Sequence, residues 1–79
     1  MVKVSFTKHA EDMLKERIFA KEEIISIISN PDWKGNDESD IEIWHAFKRI
    51  GDKVLRVVIK GRGETYSVVT MFYDRRLRN

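Results

Sequence analysis

Apolar residues recur at helical spacing near the start of the chain. Between residues 8 and 17 they stand at Ala10, Met13 and Leu14, and charged residues occupy the opposite face. Thr7 precedes this segment, and its hydroxyl can accept a hydrogen bond from an amide of the first turn. The pattern predicts a first helix over residues 8–17.

A second apolar stripe follows almost at once. Lys21 to Glu23 open it, and the two acids suit the positive end of a helix dipole. The next residues give a wide apolar face for burial, formed by Ile24, Ile25, Ile27 and Ile28. Pro31 disfavours the helical conformation at Asn30, so the sequence predicts that this second helix ends there.

From residue 41 onward the pattern is typical of β-strands. Turn sequences at 51–52 and 61–64 divide this region into three strands, 41–50, 53–60 and 65–74, and residues 75–79 form a basic tail. An extra short strand at 2–6 or near Trp33 could add to them. The expected fold is therefore α+β and RelE/barnase-like, with two N-terminal helices packed on a twisted antiparallel sheet of three to four strands, in the order α-α-β-β-β.

Regular pairing across a two-residue turn at Gly51-Asp52 assigns each strand residue to a face. The face expected to take the helices holds Trp44, Ala46, Leu55, Val57, Ile59, Tyr66, Val68, Thr70 and Phe72. The opposite, uncovered face holds His45, Phe47, Arg49, Arg56, Ser67, Met71 and Tyr73, with Val54, Val58 and Val69. A bulge in either hairpin would exchange members between the two faces.

Composition limits the class of protein. We expect one domain, 1–79, and the absence of cysteine excludes disulfides, thiolate metal sites and cysteine catalysis. No apolar run reaches the length of a membrane span and no signal-peptide pattern is present, so we expect a cytoplasmic protein with no membrane association. The two histidines are not spaced as metal ligands, and the chain has neither the spacing of a calcium loop nor the glycines of a phosphate loop. We therefore expect neither a metal nor a cofactor.

Charge is distributed unevenly along the chain. Up to Phe47 there are six Lys and Arg against ten Asp and Glu, whereas from Lys48 onward there are nine against three. A one-sided basic surface favours a polyanionic partner. The same cations could instead keep the strands soluble and the sheet edges unpaired.

The remaining reactive groups suit RNA cleavage. The ribose 2′-OH can attack its own phosphate, so the protein needs to supply only a base, an acid and cations. The candidate catalytic residues are His9, His45, Arg56 and Tyr73. Each also has a structural interpretation, since His9 could pack at the start of its helix and the other three could be ordinary strand residues.

Further residues are candidates for substrate binding because they carry cations or hydroxyls. They are Arg17, Arg49, Ser67, Thr70, Arg75 and Arg76. A phenol beside arginines, as at Tyr73, can stack on a base or donate a hydrogen bond to a phosphate. Arg17 could equally cap its own helix, and Thr70 could be a core-facing residue.

Several segments in order resemble a known family. They are Phe6-Thr7-Lys8-His9-Ala10, Glu16-Arg17, Glu22-Glu23-Ile24, Asn30-Pro31, Leu55-Arg56-Val57-Val58 and Val68-Val69-Thr70. Together they resemble domain of unknown function 4258, which is similar to the barnase/RelE-like group of ribonuclease toxin folds. The resemblance spans nearly the whole chain. It implies metal-independent RNA cleavage, often by a toxin paired with an antitoxin, and site residues at His9, Arg17, Arg56 and Thr70.

The sequence therefore predicts a metal-independent endoribonuclease or RNA-binding domain of toxin type. Its expected partners are RNA or the ribosome and a cognate antitoxin protein, and it would be a monomer or a homodimer. The alternative is a non-catalytic protein-interaction module. Exposed aromatic and apolar side chains on the uncovered face, Phe47, Met71 and Tyr73, would suit such a contact.

Overall fold

The structure is a computed structural model that describes residues 3–78. Its elements are β1 (Lys3–Phe6), α1 (Lys8–Arg17), α2 (Lys21–Ser29), β2 (Trp33–Asn36), β3 (Ile43–Ile50), β4 (Lys53–Lys60) and β5 (Thr65–Arg78). All five strands belong to one sheet, in the order β1-β5-β4-β3-β2. Neither of the helices in this range is long and apolar enough to cross a membrane.

The predicted fold class was wrong in the number and direction of the strands. β1 and β2 are both present, so the sheet has five strands rather than three to four. β1 pairs with β5 in parallel, so the sheet is mixed rather than antiparallel. The sequence allows an extra short strand at 2–6 or near Trp33, and the structure has a strand of four residues at each place. Val2, predicted to open the first strand, lies outside the described residues.

The two helices begin and end where the local sequence predicts. Thr7 is the N-cap of α1, and its Oγ1 accepts a hydrogen bond from the N–H of Ala10 at 3.1 Å. At the start of α2, Oε1 of Glu23 accepts from the N–H of Ala20 at 3.0 Å. α1 packs against β5 and α2 against β3, so both helices cover the same face of the sheet.

The core consists of apolar side chains buried between the two helices and the sheet. Its buried members are Ala10, Leu14, Ile24, Ile27, Ile28, Trp44, Ala46, Leu55, Val57, Ile59, Val68 and Met71. Six half-buried side chains pack around them, namely Val4, Phe6, Met13, Phe19, Tyr66 and Tyr73. Removal of this apolar surface from water is the main driving force for folding.

The turn between β3 and β4 has the predicted length. Ile50 pairs with Lys53 across Gly51-Asp52, and the whole of β3 keeps regular register with β4. Gly51 has a φ of 64°, a conformation that glycine adopts without the strain of a Cβ. The predicted faces of these two strands are therefore confirmed.

A β-bulge in β5 changes which way its side chains point. Ile59 pairs with Val68 and Val58 pairs with Thr70, so Val69 is an extra residue with no partner position on β4. One inserted residue shifts the alternation of every residue that follows it.

The bulge overturns four predicted orientations. Met71 and Tyr73 lie opposite Val57 and Leu55 on the helix side, where the sequence predicted the uncovered face. Thr70 and Phe72 were predicted to face the helices, but their partners on β4, Val58 and Arg56, belong to the opposite face.

The end of β5 is also irregular. Leu55 pairs with Tyr73 and Lys53 pairs with Arg78, so the four residues 74–77 stand opposite Val54 alone. This excursion, here called the 74–77 segment, occupies most of what was predicted to be a basic tail. The last residue of that tail, Asn79, lies outside the described residues.

Candidate functional site

The face of the sheet turned away from the helices, here called the open face, carries most of the polar candidates. Cross-strand pairing arranges its centre in two rows. The first row is His45, Val58 and Thr70, and the second row is Phe47, Arg56 and Phe72. Both rows run over β3, β4 and β5, so three strands position the side chains relative to one another.

His45 is paired with Asp37, which lies just after β2. Nε2 of His45 and Oδ1 of Asp37 are 3.1 Å apart, and the histidine side chain is only 13% exposed. The hydrogen bond from His45, followed by those from Ser39, lowers the pKa of Asp37 to about 2. An ionised carboxylate can only accept, so Nε2 carries the hydrogen. The buried Nδ1, which has no partner among the described groups, is then a proton acceptor in the neutral ring.

Asp37 also organises the connection between β2 and β3. Its Oδ2 accepts hydrogen bonds from the N–H of Ser39 at 3.1 Å, the hydroxyl of Ser39 at 2.9 Å and the N–H of Asp40 at 3.1 Å. Short polar side chains that bond to the backbone two or three residues ahead are typical of such turns. One carboxylate therefore fastens the 37–40 connection to His45 on the open face.

Arg56 is held by a buried carboxylate and two aromatic rings. Its Nη2 lies 2.9 Å from Oδ2 of Asp74, whose side chain is 3% exposed. The guanidinium carbon is 4.8 Å from the ring centroid of Phe47 and 5.9 Å from that of Phe72, its neighbours in the second row. Loss of either member of a buried pair of this kind costs about 3–5 kcal/mol, so the pair fixes the cation firmly.

Asp74 has a second cationic partner. Its Oδ1 accepts from the N–H of Arg76 at 3.0 Å and from Nε of the same residue at 3.4 Å. Burial raises the pKa of Asp74, but the hydrogen bonds from Arg76 and the charges of Arg56 and Arg76 together lower it further, and the net shift is downward. The aspartate is therefore ionised at neutral pH.

His45, Arg56 and Arg76 line one cavity of about 660 Å³ on the open face. Asp37, Glu38 and Asp74 line it too, and His45, Arg56 and Arg76 each contact one of the two aspartates. This cavity brings together three of the predicted site residues.

His9 reaches the open face from the start of α1. Its Nε2 lies 3.1 Å from Oγ1 of Thr70, the last residue of the first row. The exposed imidazole therefore continues that row beyond β5. Strands in a sheet are about 4.8 Å apart, so the Cα atoms of His45 and Thr70 are separated by about 10 Å.

Three predicted site residues lie elsewhere, in a cleft of about 490 Å³. That cleft is lined by Arg17, Asp52, Lys53, Tyr73, Asp74, Arg75 and Leu77. Tyr73 was predicted to lie on the same uncovered face as His45, but the bulge at Val69 turns it to the helix side. Its ring packs 5.9 Å from that of Phe19, with Nζ of Lys53 at 5.2 Å from its centroid.

The last two predicted residues lie at opposite ends of the open face. Arg49 stands over Trp33, with its guanidinium carbon 5.3 Å from the ring centroid, and Trp33 in turn stacks on Phe47 at 5.1 Å. Ser67 pairs with Lys60 near the other end of β4, beyond the first row. Neither residue lines the cavity of His45 and Arg56.

The apolar contact surface expected for an interaction module is largely buried. Phe47 is 6% exposed and Met71 is fully buried, while Tyr73 is half-buried on the helix side. The prediction that these side chains are exposed was wrong. Burial of Met71 and Tyr73 follows from the bulge, and Phe47 is covered by Trp33 and Arg56.

Two carboxylates of the candidate site, Asp37 and Asp74, were not predicted as site residues. Nothing in the local sequence indicates that their partners are His45 and Arg56. Within residues 3–78, no group of three or more His, Cys, Asp or Glu side chains is placed to hold a metal ion.

No family model matches the chain, and neither a curated protein nor a solved structure matches it.

Proposed function

We propose that the open face binds RNA and cleaves it without a metal ion. The observation that carries the proposal is the first row, which has the imidazole of His45 at one end and that of His9 at the other. Arg56 lies between them in the adjacent row. Two imidazoles and a cation are the groups that cleavage by the ribose 2′-OH requires.

In this reaction the 2′-oxygen forms a bond to the adjacent phosphorus and the bond from phosphorus to the 5′-oxygen breaks. One imidazole accepts the proton of the 2′-OH, and the other donates a proton to the departing 5′-oxygen. Because Nδ1 of His45 is buried, His45 takes part through Nε2, which leaves Asp37 when the RNA binds. The products are a 2′,3′-cyclic phosphate and a 5′-hydroxyl. Arg56 and Arg76 neutralise the charge that develops on the phosphate oxygens.

Three further residues act by positioning these groups. Asp37 fixes the ring of His45, and Thr70 orients His9 through the 3.1 Å contact between Oγ1 and Nε2. Asp74 holds Arg56 and Arg76 in the same cavity. Groups held in place before the substrate arrives lose less entropy when it binds.

The rest of the open face suits single-stranded RNA. Trp33 and Phe47 stack with an interplanar angle of 8°, and Arg49 and Arg56 lie over their rings. Proteins that bind single strands combine cations for the backbone with aromatic faces for the bases. Phe47 and Arg49 both lie against the half-buried Trp33, so an RNA base that stacks on this ring displaces the guanidinium of Arg49.

The first test compares rates of RNA cleavage in EDTA, with free RNA and with ribosomes as substrates. His9→Ala and His45→Ala are each expected to lower the rate by at least about a hundredfold, the usual contribution of one general acid or base. Arg56→Lys keeps the charge beside Asp74 but loses the planar fork, so an intermediate loss is expected.

The matched control is Lys15→Ala, an exposed cation of α1 that lies outside the open face. It should cleave at the wild-type rate. Wild-type rates in both histidine variants would overturn the proposed roles. If the wild type cleaves neither substrate at any pH, the non-catalytic interaction module replaces the nuclease.

A further inference from the structure

The cleft that contains Arg17, here called the α1 cleft, lies beside the open face. The end of α1, the β3–β4 turn and the 74–77 segment form its walls, and its volume is about 490 Å³. Tyr73 contributes a half-buried ring, over which Nζ of Lys53 is held at 5.2 Å from the centroid. The cleft therefore combines an aromatic surface with a positioned ammonium group.

The exposed charge in the α1 cleft is mainly positive. Arg17, Lys53 and Arg75 are all exposed, and Asp52 is the exposed acid beside them. Asp74 also lines the cleft, but its carboxylate is 3% exposed and is ion-paired with Arg56 and Arg76. The cleft thus presents cations to solvent at a site that can accept a phosphate group.

The α1 cleft and the cavity of the open face are neighbours. Asp74 and Leu77 line both, so the 74–77 segment is the wall that separates them. A strand of RNA that leaves the cavity of Arg56 over this wall meets Arg17 and Lys53 next. Successive phosphates of one strand can then contact the two sites together.

We propose that the α1 cleft is a second phosphate-binding subsite for a single strand bound on the open face. This inference rests on the proposed function, because the cleft binds the continuation of the same RNA. A short oligonucleotide occupies the open face alone, whereas a longer one also reaches Arg17 and Lys53. Binding should therefore strengthen with length through these two cations.

The test is fluorescence anisotropy with labelled 2′-O-methyl oligouridines, which have no free 2′-OH and cannot be cleaved. Oligonucleotides of about 4 and about 12 nucleotides span the usual range of single-strand sites. The double variant Arg17→Ala/Lys53→Ala should bind the short oligonucleotide as tightly as the wild type does. It should not show the higher affinity that the wild type has for the long one. Its plot of log affinity against log salt for the long one should be shallower by about 1.4, since each phosphate contact contributes about 0.7.

The control is Lys15→Ala/Lys21→Ala. Lys15 lies on the opposite side of α1 from Arg17, and Lys21 lies at the start of α2, on the helix side of the sheet. Thermal unfolding shows whether each variant is folded, and all four side chains are exposed.

The control must keep the higher affinity for the long oligonucleotide. If Arg17→Ala/Lys53→Ala keeps it too, the proposed subsite is wrong, whereas the proposed binding on the open face is unaffected. If the wild type binds neither oligonucleotide, the proposed RNA binding is overturned and the subsite with it.

Discussion

At the residue scale, two aspartates hold the polar side chains of the open face in place. Asp37 holds the ring of His45 at 3.1 Å, and Asp74 holds the guanidinium of Arg56 at 2.9 Å. In both cases an ionised aspartate fixes a group proposed to contact RNA. The site is therefore arranged before the ligand arrives, which reduces the entropy lost on binding.

The end of α1 contains a strained residue. Ile18 closes the helix in the left-handed conformation, with φ 57° and ψ 49°, and its side chain is 89% exposed. Such a conformation costs an L-residue roughly 1–2 kcal/mol, and glycine avoids most of that cost. We expect Ile18→Gly to raise the free energy of unfolding by about 1 kcal/mol, which corresponds to roughly 4–8 °C in Tm for a domain of this size.

Thermal unfolding followed by circular dichroism measures this effect. Ile41→Gly is the control, because Ile41 is 86% exposed and is not among the described residues with positive φ. It should give no increase in Tm. An equal increase in both variants, or a decrease at Ile18, would contradict the assignment of strain.

At the element scale, the helices and the β3–β4 hairpin were predictable because their signals are local. Thr7 and the residue pair Asn30-Pro31 mark helix ends through capping and backbone restriction, and Gly51 marks a tight turn. These interactions involve residues close in the chain. The observed bounds of α1 and β4 accordingly match the predicted ones.

The outer strands and the β5 bulge were not predictable in the same way. The sequence allows a short strand at 2–6, but β1 pairs with a strand that begins 59 residues after the end of β1, at Thr65, so no neighbouring residue indicates that pairing. Val69 looks like an ordinary strand residue in the sequence. Because it is the extra residue of the bulge, Thr70 contacts His9 and Tyr73 lies on the helix side. The candidate site therefore depends on a register that the local sequence does not show.

The β2–β3 connection should be sensitive to acid. The pKa of Asp37 is about 2, compared with its usual 3.8, because His45 and Ser39 donate to the ionised carboxylate. A depressed pKa adds stability that is complete above about pH 4 and is lost as the pH falls towards about 2. We expect the difference in free energy of unfolding between the wild type and Asp37→Asn to be largest at about pH 5 and to shrink towards about pH 2.

Chemical denaturation at a series of pH values measures this difference. Asp12→Asn, an exposed aspartate of α1, is the control and should differ from the wild type by a constant amount over the same range. A difference for Asp37→Asn that grows as the pH falls would contradict the predicted role of the carboxylate.

At the scale of the whole molecule, the acidic and basic halves of the chain meet on the open face. Asp37 comes from the acidic half, whereas Arg56, Asp74 and Arg76 come from the basic half. The uneven charge predicted a polyanionic partner. It could not show that Asp74, a buried carboxylate of the basic half, is ion-paired with Arg56 and Arg76 and so neutralises part of that positive charge. The cations that remain exposed continue into the α1 cleft.

The most direct test of the whole account is an analysis of the RNA ends produced in EDTA by the wild type and by His9→Ala/His45→Ala. The wild type is expected to produce 2′,3′-cyclic phosphate and 5′-hydroxyl ends. The double variant is expected to show only background cleavage, with an unchanged circular dichroism spectrum. Full cleavage by the folded double variant, or wild-type products with other ends, would contradict the claim that the two histidines of the open face cleave RNA.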